Sequence, residues 1–355
     1  MVGAVAHSPV RVVVLVLMAL AGAACGYAPA PATPTNSPTP VLADGVVVTR
    51  LKGPPGEIAQ VAWVGDSLIL QVLDGAAAET GDPWSSRLWQ LPLSRMALRE
   101  LPIAYDRACG TAARHAIESP VRVNDHILMY MQRCARLDAD GQPSAYHAAT
   151  LMSFDLLTQR APAAEADRVD VAVSPPLNAE VNGIFIDRAT GMVTVVEPSD
   201  PEHNHVSPMA GGAARYLEGG GLSIWGLSSA PDGRAAFIGR AAGGGEPGTG
   251  KASLYVADGP ELARPREVLA GVQDLTGTAW SNDGQWVAFG GKFKSGYGLY
   301  VVRVETQEVR LVAEGRYWPT GSAWAPVGER IAQPYELPDG TWEIHILDVA
   351  ALLAR

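Results

Sequence analysis

Two stretches of this 355-residue chain carry residue types that could do chemistry. GGGEPGTGKAS, residues 243–253, nearly fits G-x-x-x-x-G-K-[ST], in which backbone N–H groups and a lysine hold phosphates and a hydroxyl holds Mg²⁺. Gly245, Gly250 and Lys251 match, but Ala252 occupies the hydroxyl position and Ser253 comes one residue late. In DPEHNH, Asp200–His205, the two histidines at i and i+2 would point the same way on an extended strand, with Asp200 and Glu202 nearby. Two histidines and a carboxylate suit Zn²⁺. Pro198, Pro201 and Pro208 give the run a loop composition, which favours a solvated loop over a metal centre at His203 and His205. No G-x-S-x-G nucleophile elbow is present, and the expectation is of no catalytic residue, no cofactor and no nucleotide.

The first residues read as an export signal, 1–24. Arg11 precedes an apolar run, Val12–Ala21, that is shorter than the ~20 residues of a membrane span, and small residues follow. Cys25, directly after them, resembles the cysteine of a bacterial lipobox, whose thiol is diacylated and becomes the new N-terminus. Gly22 departs from that pattern, which has leucine or a similar aliphatic residue three before the cysteine. Ordinary cleavage, leaving Cys25 a free thiol, is the alternative. Of the three cysteines, a lipidated Cys25 leaves Cys109 and Cys134 as an even pair. A disulfide closing that ~25-residue loop would contribute on the order of 3 kcal/mol, and two separately buried thiols are the other reading. The segment Tyr27–Pro40 has five prolines and no charged side chain; it reads as a polyproline-rich stalk, spanning ~40–50 Å at full extension. The expected organisation is signal 1–24, lipid-anchored linker 25–41 and folded domain 42–355. A net charge of −10 with no basic run argues against nucleic acid and against electrostatic docking on anionic lipid, so membrane contact is expected through the lipid only.

What positions the rest is an internal repeat. LSSAPDGRAAFIG (Leu227–Gly239), TAWSNDGQWVAFGG (Thr278–Gly291) and SAWAPVGERIAQPY (Ser322–Tyr335) each place a glycine turn between two short apolar strands. Asp-Gly suits such a turn because it demands positive φ. QVAWVGDSLILQV, Gln60–Val72, is a shortened version in which Trp63 matches Trp280 and Trp324, read as packing between units. A third strand follows (SLYVAD, GLYVVRV, EIHILDV), then an outer strand with a common ending (REVLAG, RLVAEG, RYLEGG). Four short strands every ~45–55 residues are the mark of a propeller blade. The units fall near 57–103, 104–162, 163–219, 220–271, 272–315 and 316–355. The count is six, with the irregular unit 163–219 leaving five or seven open. The last unit lacks a fourth strand while VVVTRLKG, Val46–Gly53, is an outer strand with nothing before it. The expected fold is therefore an all-β propeller whose ring is closed by the N-terminal strand, about 46–53, completing the last blade.

The units AWSNDGQWVAF and GLYVVRVETQEVRLV resemble the TolB-type, WD-repeat-like propellers of bacterial envelopes, over residues 220–332 above all. The resemblance implies a lipoprotein on the extracytoplasmic side of the cell membrane. Trp225, Asp274, Arg316, Tyr317 and Trp318 lie in or near segments entering innermost strands, where loops rim the channel, and are candidate ligand-facing residues. The expected function is a monomeric, non-catalytic binding module for an envelope protein, peptide or glycan. The alternative is a propeller-type metal-assisted lyase or hydrolase acting on polysaccharide; it would need histidines or carboxylates converging from several blades, whereas the seven histidines are scattered.

Overall fold

Three glycine turns set the pattern of the chain. In the first, Ala230 N donates to Arg234 O (2.7 Å) and Gly233 N to Ala230 O (3.1 Å), with Gly233 at φ 87. Ser281–Gly284 repeats that geometry with Gly284 at φ 67, and Gly328 at φ 76 closes the third. Left-handed backbone of this kind is cheap for glycine alone, which is why the Asp-Gly pair was legible as a hairpin.

A computed structural model describes residues 40–73, 86–103, 113–137, 143–157, 183–186, 193–200, 203–208, 215–216, 222–241, 251–259, 262–275, 277–293, 296–315 and 323–355. All of them belong to one compact unit, Asn36–Arg355. β1 (Val47–Lys52) is followed by a first set, β2 (Glu57–Val64), β3 (Ser67–Leu73), β4 (Ser86–Pro92) and β5 (Arg99–Glu100). The second set is β6 (Ala113–Arg122), β7 (Ile127–Leu137) and β8 (Pro143–Asp155). The third is β9 (Gly183–Ile186), β10 (Val193–Asp200), β11 (His203–Pro208) and β12 (Arg215–Tyr216). Next come β13 (Leu222–Ser229), β14 (Ala235–Ala241), β15 (Lys251–Asp258) and β16 (Ala263–Gln273), then β17 (Thr278–Trp280), β18 (Trp286–Phe293), β19 (Gly296–Arg303) and β20 (Val309–Glu314). The last set is β21 (Ala323–Trp324), β22 (Arg330–Glu336) and β23 (Trp342–Asp348), after which α1 (Ala350–Leu353) ends the described chain.

Within each set the strands pair antiparallel in chain order, and the single pair Gln273↔Lys292 joins the outer strand of the fourth set to the second strand of the fifth. The first strands touch in a cycle: β2 meets β6, β6 meets β9, β9 meets β13, β13 meets β17, β17 meets β21, and β21 meets β2. Apolar side chains fill the space between neighbouring sets. Trp280 packs with Ala230, Ala236 and Ile238 of the set before it, Trp324 with Leu299, Val301 and Val312, and Trp63 with Ala323, Ala325 and Ala332. These tryptophans are therefore wedges between sets. Each turn also grips its neighbour: Arg234 lies 5.0 Å from the Trp280 ring centroid and donates to Gly284 O (2.7 Å), and Arg330 lies 5.3 Å from Trp63.

The chain ends meet as the repeat required. β1 pairs antiparallel with β23 from Val47↔Asp348 to Lys52↔Glu343, supplying the outer strand of the last set. Before that, the N-terminal segment lies along the preceding set: Leu42 bridges Ala313, Ala43 N donates to Val312 O (3.0 Å), and Glu314 N donates to Val41 O (2.8 Å). The segment thus stitches two outer strands together. Among the described residues no helix is long and apolar enough to cross a membrane.

Candidate functional site

The sets have two ends. One carries the turns between first and second strands; the other carries the connections from each outer strand to the next set and the hairpins between second and third strands. At the second end, between the fourth and fifth sets, a group of polar and aromatic side chains converges.

Trp225 sits early in β13, half-buried, and its indole N–H donates to Leu275 O (3.1 Å). The guanidinium of Arg240, at the end of β14 and 7% exposed, lies 5.7 Å from the Trp225 ring centroid. Just beyond Trp225 the β13–β14 register slips, with Gly226 at φ 62, and Thr278 of β17 closes the slip. Thr278 Oγ1 donates to Gly226 O (2.7 Å) and lies 2.6 Å from Ser228 Oγ. A bulge of this kind re-aims the side chains beside it, here Trp225.

Asp274 follows β16 at φ 52, a backbone region that few residues other than glycine adopt, and Tyr297 donates its hydroxyl to the Asp274 carboxylate. Tyr297 is 40% exposed, with Lys292 Nζ 5.8 Å from its ring centroid. The hairpin that presents Tyr297 is itself held, since Tyr300 Oη lies 2.7 Å from Gly296 O and 3.1 Å from Phe293 O, and its ring stacks on Phe289 at 5.5 Å. Two of the five residues singled out from sequence, Trp225 and Asp274, therefore meet through the Asp274–Leu275 connection. Arg316, Tyr317 and Trp318 lie outside the described residues. Arg240, Lys292 and Tyr297 were not singled out; the signal that could have found Tyr297 is its place in a second-to-third-strand hairpin, the same position as the glycine-rich stretch of the previous unit.

The described residues of DPEHNH belong to paired strands, where a loop was expected: Asp200 ends β10 and His203–His205 open β11. β10 and β11 flank residues 201–202, with His203 opposite Asp200 and His205 opposite Glu197, and on its other side His205 faces Tyr216. Among the described residues no group of three or more histidine, cysteine or acidic side chains is placed to hold a metal. Cys134 lies in β7 opposite His115 and Ala148 in the register. Cys25 and Cys109 lie outside the described residues, as do the stretches expected to be an export signal, 1–24, and, up to residue 39, a linker. The GGGEPGTGKAS stretch joins β14 to its antiparallel neighbour β15, and Lys251 and Ser253 already belong to β15. A phosphate loop needs a helix N-terminus at that place, and a strand stands there instead.

No protein-family model and no curated protein matches the sequence. Among solved structures the chain is similar to the β-propeller domain of Cps50 (Swd1) from Myceliophteria thermophila, with a TM-score of 0.50 and 13% identity over 84% of this chain and 99% of that one. It is also similar to a chain of a nidogen/laminin complex, with a TM-score of 0.43 and 12% identity over 70% and 81%. The fold is a β-propeller. At such identity the likeness speaks for the fold alone.

Proposed function

We propose that this propeller is a non-catalytic binding module that captures an envelope protein, peptide or glycan at the blade end carrying Trp225, Asp274 and Tyr297. The observation that carries the reading is Asp274: a residue at positive φ whose carboxylate accepts from the hydroxyl of an exposed tyrosine, followed by Leu275, whose carbonyl accepts from the Trp225 indole, with Lys292 over the tyrosine ring and Arg240 over the indole. A rim already held in one geometry loses little entropy on binding, and aromatic and arginine side chains carry much of the energy of such contacts. The reading includes a ring of six blades, a monomer, and a tether through a lipidated Cys25 on the extracytoplasmic side. The envelope setting rests on the sequence resemblance.

Capture from detergent-solubilised envelope by the full chain tests it. Recovery of one stoichiometric partner, reduced about tenfold by Tyr297→Phe, is the expected result. Polysaccharide cleavage by metal-loaded protein would replace the binding reading with a lyase or hydrolase. For the tether, Cys25→Ala should move the protein from the membrane fraction to the soluble one, and unchanged retention would overturn it.

A further inference from the structure

The N-terminal segment on β20 shows what the outer edge of a set can hold. Ala43 N donates to Val312 O, Glu314 N donates to Val41 O, and Leu42 and Ala43 pack against the apolar core between the fifth and sixth sets. One set earlier, β16 repeats the irregularity of β20. Leu254↔Leu269 is followed by Tyr255↔Glu267, as Leu299↔Ala313 is followed by Tyr300↔Leu311, so the extra residue falls at the same place, Val268 and Val312. Val268 O and Ala270 N therefore correspond to the two groups that hold residues 41–43 on β20. β16 departs once, at a further shift between Leu269 and Val272 that takes in Gly271 at φ 73. Among the described residues, the far side of β16 meets another strand only at Gln273↔Lys292.

An open edge is a template for a further strand, and folded proteins guard such edges with proline and charge. The first half of β16 is guarded in this way by Arg264, Pro265, Arg266 and Glu267, whereas Val268–Gly271 carries neither. Beside that unguarded stretch, Leu269 of β16 and Val309 and Leu311 of β20 stay half-buried against the core between the fourth and fifth sets. One set later Leu42 and Ala43 supply the cover. The charge also fits. A segment lying on β16 as residues 41–43 lie on β20 carries its next residue toward Arg266, the counterpart of Arg310, which is 47% exposed and 4.0 Å from Glu305. In this chain that next residue is an acid, Asp44. We infer that the edge at Val268–Ala270 is a strand-addition site for an extended partner segment of the form proline, two apolar residues, a small residue and an acid. Val268 O accepts from the N–H of the small residue, and Ala270 N donates to the carbonyl of the first apolar one. The second apolar side chain covers Leu269, and the acid faces Arg266.

The test titrates the full chain by calorimetry with acetyl-Pro-Val-Leu-Ala-Asp-Gly-amide, the sequence of residues 40–45, and with the same peptide N-methylated at its alanine. The first should bind saturably, and N-methylation, which removes the donor to Val268 O, should weaken it about tenfold. Ala270→Pro, which removes the edge N–H, should weaken it as much. Arg266→Glu should weaken it about threefold, whereas Arg87→Glu, the same charge change at a similarly exposed residue of the first set, should leave it unchanged. Should Ala270→Pro fail to fold, the two arginine substitutions decide. Absence of saturable binding, equal binding of the N-methylated peptide, or equal effects of the arginine substitutions would overturn the inference. So would binding that survives Ala270→Pro; its loss in Glu314→Pro instead would put the peptide on β20 in place of residues 41–43. A dimer of the peptide-free chain in light scattering, dissolved by Ala270→Pro, would assign the edge to a second copy and overturn it as well. None of these outcomes bears on capture at the Trp225 and Asp274 rim, which Tyr297→Phe reads.

Discussion

The Asp274 backbone, at φ 52, shows how much of the candidate rim depends on one side-chain contact. A non-glycine residue in that region costs on the order of 1 kcal/mol, and the hydroxyl of Tyr297 is what its carboxylate gains in return. In a Tyr297→Phe background, where that contact is gone, Asp274→Gly should therefore raise stability by about 0.5–1 kcal/mol, measured by urea unfolding. An equal or lower midpoint would mean that the backbone is unstrained. Trp225 and Asp274 were legible because the repeat assigns them to segments entering innermost strands. Tyr297 was not, because its partner is 23 residues away and no periodicity links the two. Nor does residue type announce the positive φ of Asp274, whereas glycine does so at the three turns.

Strand β23 holds a different kind of polar group. His345 is fully buried, stacks on Tyr335 at 4.5 Å and places Nε2 3.0 Å from Glu343 Oε2. Burial lowers its pKa below the ordinary 6.5 and outweighs the pull of the Glu343 carboxylate in the other direction. The folded state thus holds fewer protons than the unfolded one. Its contribution to stability is complete above the unfolded value and is lost as pH falls through the folded value. The urea midpoint should drop between about pH 8 and pH 5, and His345→Gln should make that drop shallower; an unchanged slope would exclude His345 as a source. The glycine-turn hairpins were readable at this scale, since two independent signals, turn residues and alternating apolar positions, agree. The β10–β11 hairpin was not. Pro198 and Pro208 argue for a loop, yet Pro198 sits beside a register shift and Pro208 at a strand end, positions where a missing N–H does little harm.

At the scale of the whole molecule, closure of the ring depends on a short strand far in sequence from its partner. Leu51 is the most buried side chain of β1 and packs with Ile344 and Ile346 of β23 and with Ile58 of β2, so it touches both sides of the seam. Leu51→Ala should lower stability by about 2–4 kcal/mol in urea unfolding, and a cost below about 1 kcal/mol would show that the seam tolerates loosening. This closure was legible from two complementary anomalies, a final unit lacking its outer strand and an outer strand lacking its unit. The stitch of Val41–Ala43 onto β20 was not, because an isolated bridge leaves no alternating pattern in sequence. That stitch has a mechanical consequence. Residues 40–43 run antiparallel to β20, whose last residues lie at the same blade end as Pro40, so a pull at Pro40 directed away from that end acts along the strand axis. The hydrogen bonds from Ala43 N and to Val41 O are then loaded together in shear instead of being peeled open one by one, and β1 is shielded from tension until they have all given way.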